Sequence, residues 1–512
     1  MTLQEKIGQR LMTGFSGTEM TEEFRRVVKE HKIGNVILFK ENIRDRAQLK
    51  QLCRDIQSLI RQETGHSAFI AIDQEGGIVT RLPDDAVNVP GAMGLGATGD
   101  PQNAYRAGLL IGRELRALGP NINFAPTVDV NSNRSNPVIG VRSYGDDPNK
   151  VAEFAACSVQ GLLEGGVLCT AKHFPGHGDT DLDSHLALPC VDKPLEALEK
   201  VELIPFQAAI AAGVSAVMTA HILFPQIEPE PIPATMSRRI MTGILRETLG
   251  FQGMIISDCM EMAAIASHFG VSEGTLAAFR AGVDLVEITH HPQWCADAAV
   301  RVLQAAEAGE LDLEEMDASV DRILAYKNRW IEAVEPAGFD FASAAEESRQ
   351  MIEMSITEVS RPASEQLSLK NPLCIGCRPY RISLVGNEEA KKRNPFGVQM
   401  AAELDGVCAD MERNPTPEAI AELVKQAKKQ GSAVVGTFNA AGNPGQLALI
   451  RALADNGIPT AVVALRAPYD LSDMPESVWG IAAYEYSAES IRAVARVLRG
   501  ELQATGKLPV QL

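Results

Sequence analysis

Short, almost entirely apolar runs alternate with amphipathic stretches between residues 35 and 290. Apolar runs of this kind are typical of strands that are buried on both faces. Intervening stretches such as 47–62 and 102–118 repeat their apolar residues at helical spacing. The pattern predicts seven strands, at 35–39, 68–73, 122–129, 167–172, 216–221, 254–258 and 284–289.

This alternation indicates a parallel sheet covered by helices. Seven strands in this length favour a TIM-like (β/α)8 barrel with one weak or missing element, which we place over residues 1–335. The competing arrangement is an open, doubly wound sheet, which usually has a glycine-rich turn after its first strand. Here Phe39-Lys40-Glu41-Asn42 follows that strand instead, which favours the barrel.

A second α/β pattern follows the barrel region. Residues 336–365 are predicted to be a linker and a connecting helix at 344–360, and residues 366–512 a separate domain. Strands are expected at 381–385, 433–437, 460–465 and 480–483, with helices at 415–430 and 445–456. Strands alternating with polar helices predict a three-layer α/β sandwich. The domain contains no cluster of catalytic residue types.

Composition limits the classes of partner. The chain has 512 residues and a net charge of −18, which argues against nucleic acid as a partner. No run approaches the length of about 18 apolar residues that a membrane span needs, so we expect no membrane partner. The N-terminus lacks the basic-then-apolar pattern of a signal peptide, and we expect a cytoplasmic protein.

Nine cysteines fit that compartment, because their odd number and apolar surroundings argue against a disulfide framework. Cys374 and Cys377 form a lone C-x-x-C with no second pair and no nearby histidine. We interpret them as two incidental thiols rather than a redox or metal site.

Polar residues stand at the ends of five predicted strands. They are Asp73, Asp129, the pair Lys172-His173, His221 and Asp258. A single residue of this kind could simply cap the next helix. Five of them favour one shared site at the carboxyl ends of the barrel strands, where TIM barrels carry their active sites.

The segment from Lys172 to His185 has the highest density of ionisable groups. Its fourteen residues include three histidines, three aspartates and a lysine, and its glycines and proline interrupt regular structure. A loop this rich in titratable groups, directly after a buried strand, indicates a catalytic site.

This loop, Lys172-His173-Phe174-Pro175-Gly176-His177-Gly178 with the later Asp183-Ser184-His185, resembles glycoside hydrolase family 3. The resemblance is to its bacterial β-N-acetylglucosaminidases of the NagZ type, and it covers most of residues 1–330. Further matching segments are 72–77, 81–82, 123–126, 142–145 and 256–262. The second half is more weakly similar to the family's C-terminal α/β domain, mainly through the ending 505–510.

The resemblance implies a set of roles. A retaining glycosidase needs a nucleophile and a proton donor and acceptor. Asp258 is the implied nucleophile, His185 the acid/base, and Asp183 the residue that orients His185. An aspartate at this spacing can fix the tautomer of the imidazole and raise its basicity. The residues implied to bind the terminal N-acetylglucosamine are Asp73, Arg81, Arg142, Lys172 and His173.

Other polar residues are left outside the predicted site. His177 and Asp179 are expected to shape the loop, and direct contact with substrate stays open for both. For His221 we favour a structural role. Cys259 is expected to point away from the nucleophile. The adjacent His290 and His291 cannot easily chelate one ion, so we expect no metal and no cofactor.

These roles predict a retaining exo-β-N-acetylglucosaminidase acting on cell-wall-derived muropeptides or related glycosides, and hence carbohydrate metabolism and peptidoglycan recycling. Three alternatives remain: a β-N-acetylglucosaminide phosphorylase, a β-glucosidase of the same family, and an inactive sugar-binding protein. Phosphorolysis stays open because a neutral histidine does not repel an anionic acceptor. The β-glucosidase subgroup lacks the Asp183-Ser184-His185 loop, and an inactive protein would lack a catalytic residue. The sequence also leaves a homodimer open.

Overall fold

The computed structural model describes residues 1–180, 188–332, 338–362, 369–380, 386 and 395–512. Eight short parallel strands in the first part of the chain form one sheet. These strands are β1 (Leu11–Thr13), β2 (Asn35–Leu38), β3 (Phe69–Ile72), β4 (Ile122–Asn123), β5 (Leu168–Phe174), β6 (Ala216–Thr219), β7 (Met254–Ile256) and β8 (Val286–Ile288).

The sheet closes into a barrel. Strands β1 to β7 pair in sequence order, and β8 pairs with β1 so that Val286 lies opposite Leu11. A parallel bridge between Ile256 and Leu285 joins β7 to β8. The predicted TIM-like barrel is therefore confirmed.

Strand β1 is the element that the apolar pattern does not predict. It has three residues, and only Arg10 separates it from the end of the first helix at Gln9, so the apolar run is too short to indicate a strand. The prediction of a strand over 122–129 is too long, because the regular strand β4 ends at Asn123 and only an isolated bridge between Thr127 and Lys172 follows. Pro126 follows, and proline has no N–H to offer a neighbouring strand.

Helices surround the barrel and pack apolar faces against its outer surface. They are α1 (Leu3–Gln9), α2 (Glu22–His31), α3 (Arg46–Thr64), α4 (Ala92–Ala97), α5 (Gln102–Leu118), α6 (Pro148–Glu164), α7 (Leu195–Leu198), α8 (Leu203–Ala211), α9 (Ala263–Ala266), α10 (Val271–Ala281), α11 (Pro292–Glu307) and α12 (Leu313–Lys327), with a π-helix at Arg239–Thr248. The predicted helices at 47–62 and 102–118 correspond to α3 and α5.

A separate apolar cluster fills the interior of the barrel. It includes Met12, Ile37, Phe69, Phe124 and Met218, all of which are buried. These side chains fill the barrel below the carboxyl ends of its strands, which is where TIM barrels carry their active sites.

The second domain contains a six-stranded sheet with the order β11-β10-β12-β13-β14-β9. Its strands are β9 (Thr357–Ser360), β10 (Leu373–Gly376), β11 (Val407–Asp410), β12 (Ala433–Thr437), β13 (Thr460–Ala464) and β14 (Val478–Ala482). Its helices are α14 (Phe396–Leu404), α15 (Pro417–Gln430), α16 (Pro444–Asp455) and α17 (Ala488–Leu498), and α13 (Phe341–Ser355) precedes the sheet. The predicted α/β sandwich is confirmed.

The segment that connects the two domains differs from the prediction. The helix expected at 344–360 ends at Ser355, and the next residues form β9, which pairs antiparallel with β14 at the sheet edge. Strands β10 and β11 are not predicted, and the expected strand at 381–385 lies outside the described residues. The domain boundaries at 335 and 366 remain predictions.

All nine cysteines are free, and Cys374 and Cys377 are both buried. Burial raises the pKa of these two thiols, to about 12 and about 11. Among the described residues, no helix combines the length and the apolar character that crossing a lipid bilayer requires.

Candidate active site

A cavity of about 1000 Å³ opens at the carboxyl ends of the barrel strands. Six of the eight predicted site residues line it: Asp73, Arg81, Arg142, Lys172, His173 and Asp258. Lys172 and His173 belong to β5, and the other four residues lie in the segments that follow β3, β4 and β7. Asp183 and His185, the other two, lie outside the described residues.

Lys172 lies at the centre of a buried ionic network. Its Nζ is 2.8 Å from Oδ1 of Asp73 and 2.7 Å from Oε1 of Glu75. Arg142 binds Glu75 with two N–H groups, at 2.9 and 2.8 Å. Burial alone would raise the pKa of Glu75, but the charges of Arg142 and Lys172 lower it overall. Glu75 therefore stays ionised and holds both cations in place.

Asp73 lies between two cations. Arg81 approaches its second oxygen, with 3.7 Å between the guanidinium and Oδ2. Burial lowers the pKa of Lys172, but Asp73 and Glu75 together raise it above its ordinary value. The cavity wall thus presents fixed positive donors beside carboxylate acceptors, an arrangement suited to sugar hydroxyls.

Asp129 positions the histidine of the predicted set. The Nδ1 atom of His173 lies 2.7 Å from Oδ2 of Asp129, and its Nε2 lies 3.4 Å from a nitrogen of Arg142. Because a carboxylate accepts and a guanidinium donates, Nδ1 carries the proton and Nε2 is the acceptor. Asp129 also accepts the backbone N–H of His177, at 2.7 Å.

The loop after β5 is anchored by contacts outside the cavity. His177 is buried, and its Nδ1 lies 2.9 Å from Oγ1 of Thr180. Burial, and then the nearby His173, lower the pKa of His177 to about 4. Asp179 forms an ion pair with Lys193 at 2.7 Å. Neither His177 nor Asp179 lines the cavity, so both shape the loop.

Asp258 stands two residues beyond β7 and faces the cavity. Its Oδ1 accepts the backbone N–H of Cys259 at 2.8 Å, which fixes the plane of the carboxylate. The expectation that Cys259 points away is wrong. Cys259 also lines the cavity, and its Sγ lies 2.8 Å from Oγ1 of Thr289 on the next strand end.

His221 has the structural role that we favoured. Its Nδ1 lies 2.8 Å from Oγ1 of Thr235, and its Nε2 lies 3.0 Å from the carbonyl oxygen of Cys259. The ring thus ties the end of β6 to the loop that carries Asp258, and it does not line the cavity.

Three residues of the site are missing from the predicted set: Glu75, Asp129 and Glu287. Asp129 was visible as a polar strand end, and Glu75 lies two residues after Asp73 in a matching segment. Glu287 lies in β8. The sequence feature that could have identified it is a carboxylate between the apolar neighbours Val286 and Ile288. Sequence alone could not show which face of β8 it occupies.

Glu287 points into the barrel and lines the cavity with 2 % of its surface exposed. Its Oε1 atom has no hydrogen-bond partner within the described part of the chain. Burial, followed by the charges of Asp258 and Asp73, raises the pKa of Glu287 well above its ordinary value. Both effects favour the neutral form of its carboxyl group.

The second domain contacts the loops that carry the site. The hydroxyl of Tyr469 accepts a hydrogen bond from Nδ2 of Asn131 at 2.8 Å, and Arg134 lies 5.0 Å from the centroid of the same ring. From the same barrel loop, Asn136 donates to the carbonyl oxygen of His177 at 2.8 Å. The loop after β5 is thus linked to the second domain through two hydrogen-bonded steps.

Similar proteins agree with this architecture. The model of the glycosyl hydrolase family 3 N-terminal domain matches residues 2–326. "Beta-hexosaminidase A" from Pseudoalteromonas piscicida is 31% identical over 100% of this chain and 97% of its own length. "Beta-hexosaminidase" from Stenotrophomonas maltophilia strain K279a is 40% identical over 55% of this chain and 83% of its own length.

A solved structure extends the likeness to both domains. A glycoside hydrolase family 3 β-N-acetylglucosaminidase from Paenibacillus sp. str. FPU-7 is 39% identical and superposes with a TM-score of 0.92. The alignment covers 100% of this chain and 99% of that one. Because the family model spans well over half of the residues, the chain belongs to glycosyl hydrolase family 3.

Proposed function

We propose that the protein is a retaining exo-β-N-acetylglucosaminidase that works through a covalent glycosyl-enzyme. The observation that carries the proposal is the arrangement of Asp258 in one cavity with Asp73, Arg81, Arg142, Lys172 and His173. The acetamido sugar is favoured because full-length relatives carry the names β-hexosaminidase and β-N-acetylglucosaminidase.

Asp258 is the carboxylate best suited to attack the anomeric carbon. Asp73 and Glu75 are bound to cations, and the raised pKa of Glu287 favours its neutral form. Asp258 is oriented by the N–H of Cys259 on a loop that follows a buried strand. A rigid, ionised carboxylate at the edge of a sugar site is what a retaining glycosidase needs.

We assign the acid/base role, the transfer of the proton to and from the substrate, to His185 and its orientation to Asp183. Both assignments rest on the family resemblance, because the two residues lie outside the described part of the chain. The residues before them support the proposal, since His177 and Thr180 anchor the start of this loop beside the cavity. A histidine with ordinary pKa near 6.5 can both donate and accept a proton at neutral pH.

Exo action follows from the shape of the barrel. Apolar side chains fill it below the cavity, so a sugar chain cannot pass through. A sugar held by Asp73, Lys172 and Arg142 is therefore a terminal, non-reducing residue, and the leaving group extends outward. Cell-wall-derived muropeptides and related glycosides fit this description. Turnover of such fragments in the cytoplasm is the role that we propose.

Phosphorolysis is the second candidate, because a neutral His185 would not repel phosphate as a carboxylate would. Product analysis separates the two reactions. The enzyme is incubated with di-N-acetylchitobiose in phosphate and in a buffer without phosphate. We expect free N-acetylglucosamine, released first as the β-anomer, in both buffers. Sugar 1-phosphate as the main product would show that the enzyme is a phosphorylase. Release of the α-anomer would show that the reaction does not retain the anomeric configuration.

The same assay tests the assigned residues. Asp258→Asn should lower turnover by at least about a thousandfold on all substrates while the melting temperature stays near that of the wild type. His185→Ala should affect the disaccharide far more than a nitrophenyl glycoside, and azide should restore part of its turnover. Equal losses on both substrates, without azide rescue, would assign the proton transfer to another residue.

A further inference from the structure

The cavity has two chemically different ends. The ionic groups that suit a sugar lie around Asp73 and Lys172. The outer wall instead carries Met262, Ala263 and Ala266 together with four rings, Phe39, His290, His291 and Trp294. One hexosamine occupies only part of about 1000 Å³. The outer part therefore receives whatever is attached to the terminal sugar.

Trp294 is the central residue of this outer wall. Its side chain is 41% exposed, and it is the one residue among the exposed large apolar side chains of the described chain that lines the cavity. Its ring stacks on His291 with centroids 4.4 Å apart and an angle of 23° between the planes. His290 lies against Phe39, with centroids 4.7 Å apart. The ring of Trp294 thus lines the cavity and is only partly covered by other residues of the protein.

The rings are held in position by Glu261. One of its carboxylate oxygens accepts the backbone N–H groups of His290 and His291, at 2.8 and 3.0 Å. The other lies 2.6 Å from Nδ1 of His291. Only 5% of the Glu261 side chain is exposed, and Glu261 lies three residues after Asp258. The stack is therefore rigid before any ligand arrives, and it is attached to the loop that carries the nucleophile.

We propose that Trp294 and His291 form the binding site for the leaving group, and that this site takes a neutral pyranose ring. The inference rests on the proposed glycosidase function. It specifies the leaving group of the substrate, which that function does not define. One face of a pyranose presents C–H groups, which pack against the electron-rich face of an indole. Stacking also leaves the hydroxyls at the ring edge in contact with water.

Within the substrates proposed above, charge favours the related glycosides that have a neutral leaving group over the peptide-bearing muropeptides. Apart from Arg81, Arg142 and Lys172 of the sugar site, Lys40 is the one lysine or arginine among the described residues that line the cavity, and its Nζ bonds to the carbonyl oxygen of Leu82 at 2.5 Å. The other charged groups there are the carboxylates Glu41 and Glu261. A leaving group with several carboxylates would meet no cluster of cations at this wall.

The test compares substrates that share the terminal sugar and differ in the leaving group. They are di-N-acetylchitobiose, with a pyranose, and the methyl β-N-acetylglucosaminide, with no ring. In Trp294→Ala, the ratio of their kcat/KM values, disaccharide over methyl glycoside, should fall at least about tenfold. Trp294→Phe keeps a ring and should restore the ratio to within about threefold of the wild type. Val300→Ala, a change at an exposed apolar residue of the same helix, is the matched control and should leave the ratio unaltered.

The outcomes separate this inference from the proposed function. If the wild type cleaves neither glycoside, the proposed function fails. If it cleaves both and the ratio is the same in Trp294→Ala, the leaving-group site is wrong although the function stands. A third substrate, N-acetylglucosamine linked to a peptide-bearing anhydromuramic acid, tests the charge argument. A wild-type kcat/KM above that for the disaccharide would overturn the neutral pyranose.

Discussion

Glu287 shows how a single residue changes its chemistry with its surroundings. It is a carboxylate by sequence, but inside the barrel it faces Asp258 and Asp73 with almost no access to water. Burial and these two neighbours raise its pKa well above its ordinary value. The raised pKa favours the neutral form, which adds no negative charge beside the proposed nucleophile.

This state predicts a pH-dependent stability. The unfolded glutamic acid ionises near pH 4.3, whereas the folded one stays protonated to higher pH. The stabilisation is therefore complete below about pH 4 and is lost as the pH rises toward the folded pKa, by up to about 1.4 kcal/mol per pH unit. Glu287→Gln removes this loss. Its melting temperature relative to the wild type should increase between pH 5 and pH 7.5 when measured by calorimetry.

The control is Glu307→Gln, which removes the same charge at an exposed position near the end of α11. Its melting temperature should differ from that of the wild type by the same small amount at both pH values. A Glu287→Gln difference that is constant with pH, or that shrinks as the pH rises, would show that Glu287 is ionised in the folded protein.

At the scale of the elements, the loop after β5 depends on close backbone contacts. The φ angle of Gly176 is +135°, in the region that favours glycine. At Gly178 the reason is space, because an added Cβ would lie 1.6 Å from the carbonyl oxygen of Val130. These contacts let Asp129 reach the N–H groups of His173 and His177 together. The aspartate therefore organises the whole turn.

Asp129→Asn tests this role. The asparagine side chain has a single acceptor oxygen. At least one of the buried N–H groups that donate to Asp129 would therefore meet the NH2 group of the asparagine, which is itself a donor. Each lost buried bond costs about 1–3 kcal/mol, which predicts a lower melting temperature and about a 10- to 100-fold loss of kcat/KM. Steady-state assays on the disaccharide and thermal unfolding measure the two effects.

Asp179→Asn is the comparison on the same loop. Asp179 pairs with Lys193 where both side chains are about one-third exposed, and such pairs contribute about 1 kcal/mol or less. It should leave kcat/KM within about threefold of the wild type. If Asp129→Asn lowers kcat/KM as little as Asp179→Asn does, the loop tolerates the change at Asp129 and other residues hold it in place.

At the scale of the whole molecule, the second domain contributes no residue of the predicted site but supports the loops around it. Tyr469 and Ser472 bond to Asn131 and Arg134 on the barrel loop. That loop reaches the turn at 177–180 through Asn136. The contacts connect the second domain to the segment that leads to Asp183 and His185.

Tyr469→Phe keeps the ring under Arg134 and removes the hydroxyl that Asn131 binds. If the link positions the proton donor, turnover of the disaccharide should fall by about threefold to tenfold, corresponding to about 1 kcal/mol. A nitrophenyl glycoside, whose leaving group needs little protonation, should be affected less. Rates on the two substrates measure the difference.

Tyr380→Phe provides the matched control, because the hydroxyl of Tyr380 bonds to Asn443 at 2.6 Å within the second domain. It removes the same kind of hydrogen bond without touching the barrel, so both substrates should keep their wild-type rate ratio. If Tyr469→Phe behaves in the same way, the second domain stabilises the fold without positioning the proton donor.

The sequence by itself determined the class of fold and six of the candidate residues that line the cavity. Apolar runs separated by helical periodicity are local signals, and they predict strands and helices without knowledge of their partners. Asp73, Lys172, His173 and Asp258 could be identified because each stands at or just beyond the end of a buried strand. The family resemblance added Arg81 and Arg142, which lie on loops.

Only the tertiary structure decided the features that depend on distant parts of the chain. The three residues of β1 form a strand because they pair with β2 and β8. The residues of β9, which were predicted to be helical, form a strand because they pair with β14. Glu287 becomes a cavity residue through the side of β8 that faces inward, and Trp294 meets His291 only after α11 is placed. Pairing partners, cavity walls and pKa values are set by contacts between segments far apart in sequence. Local patterns cannot encode those contacts.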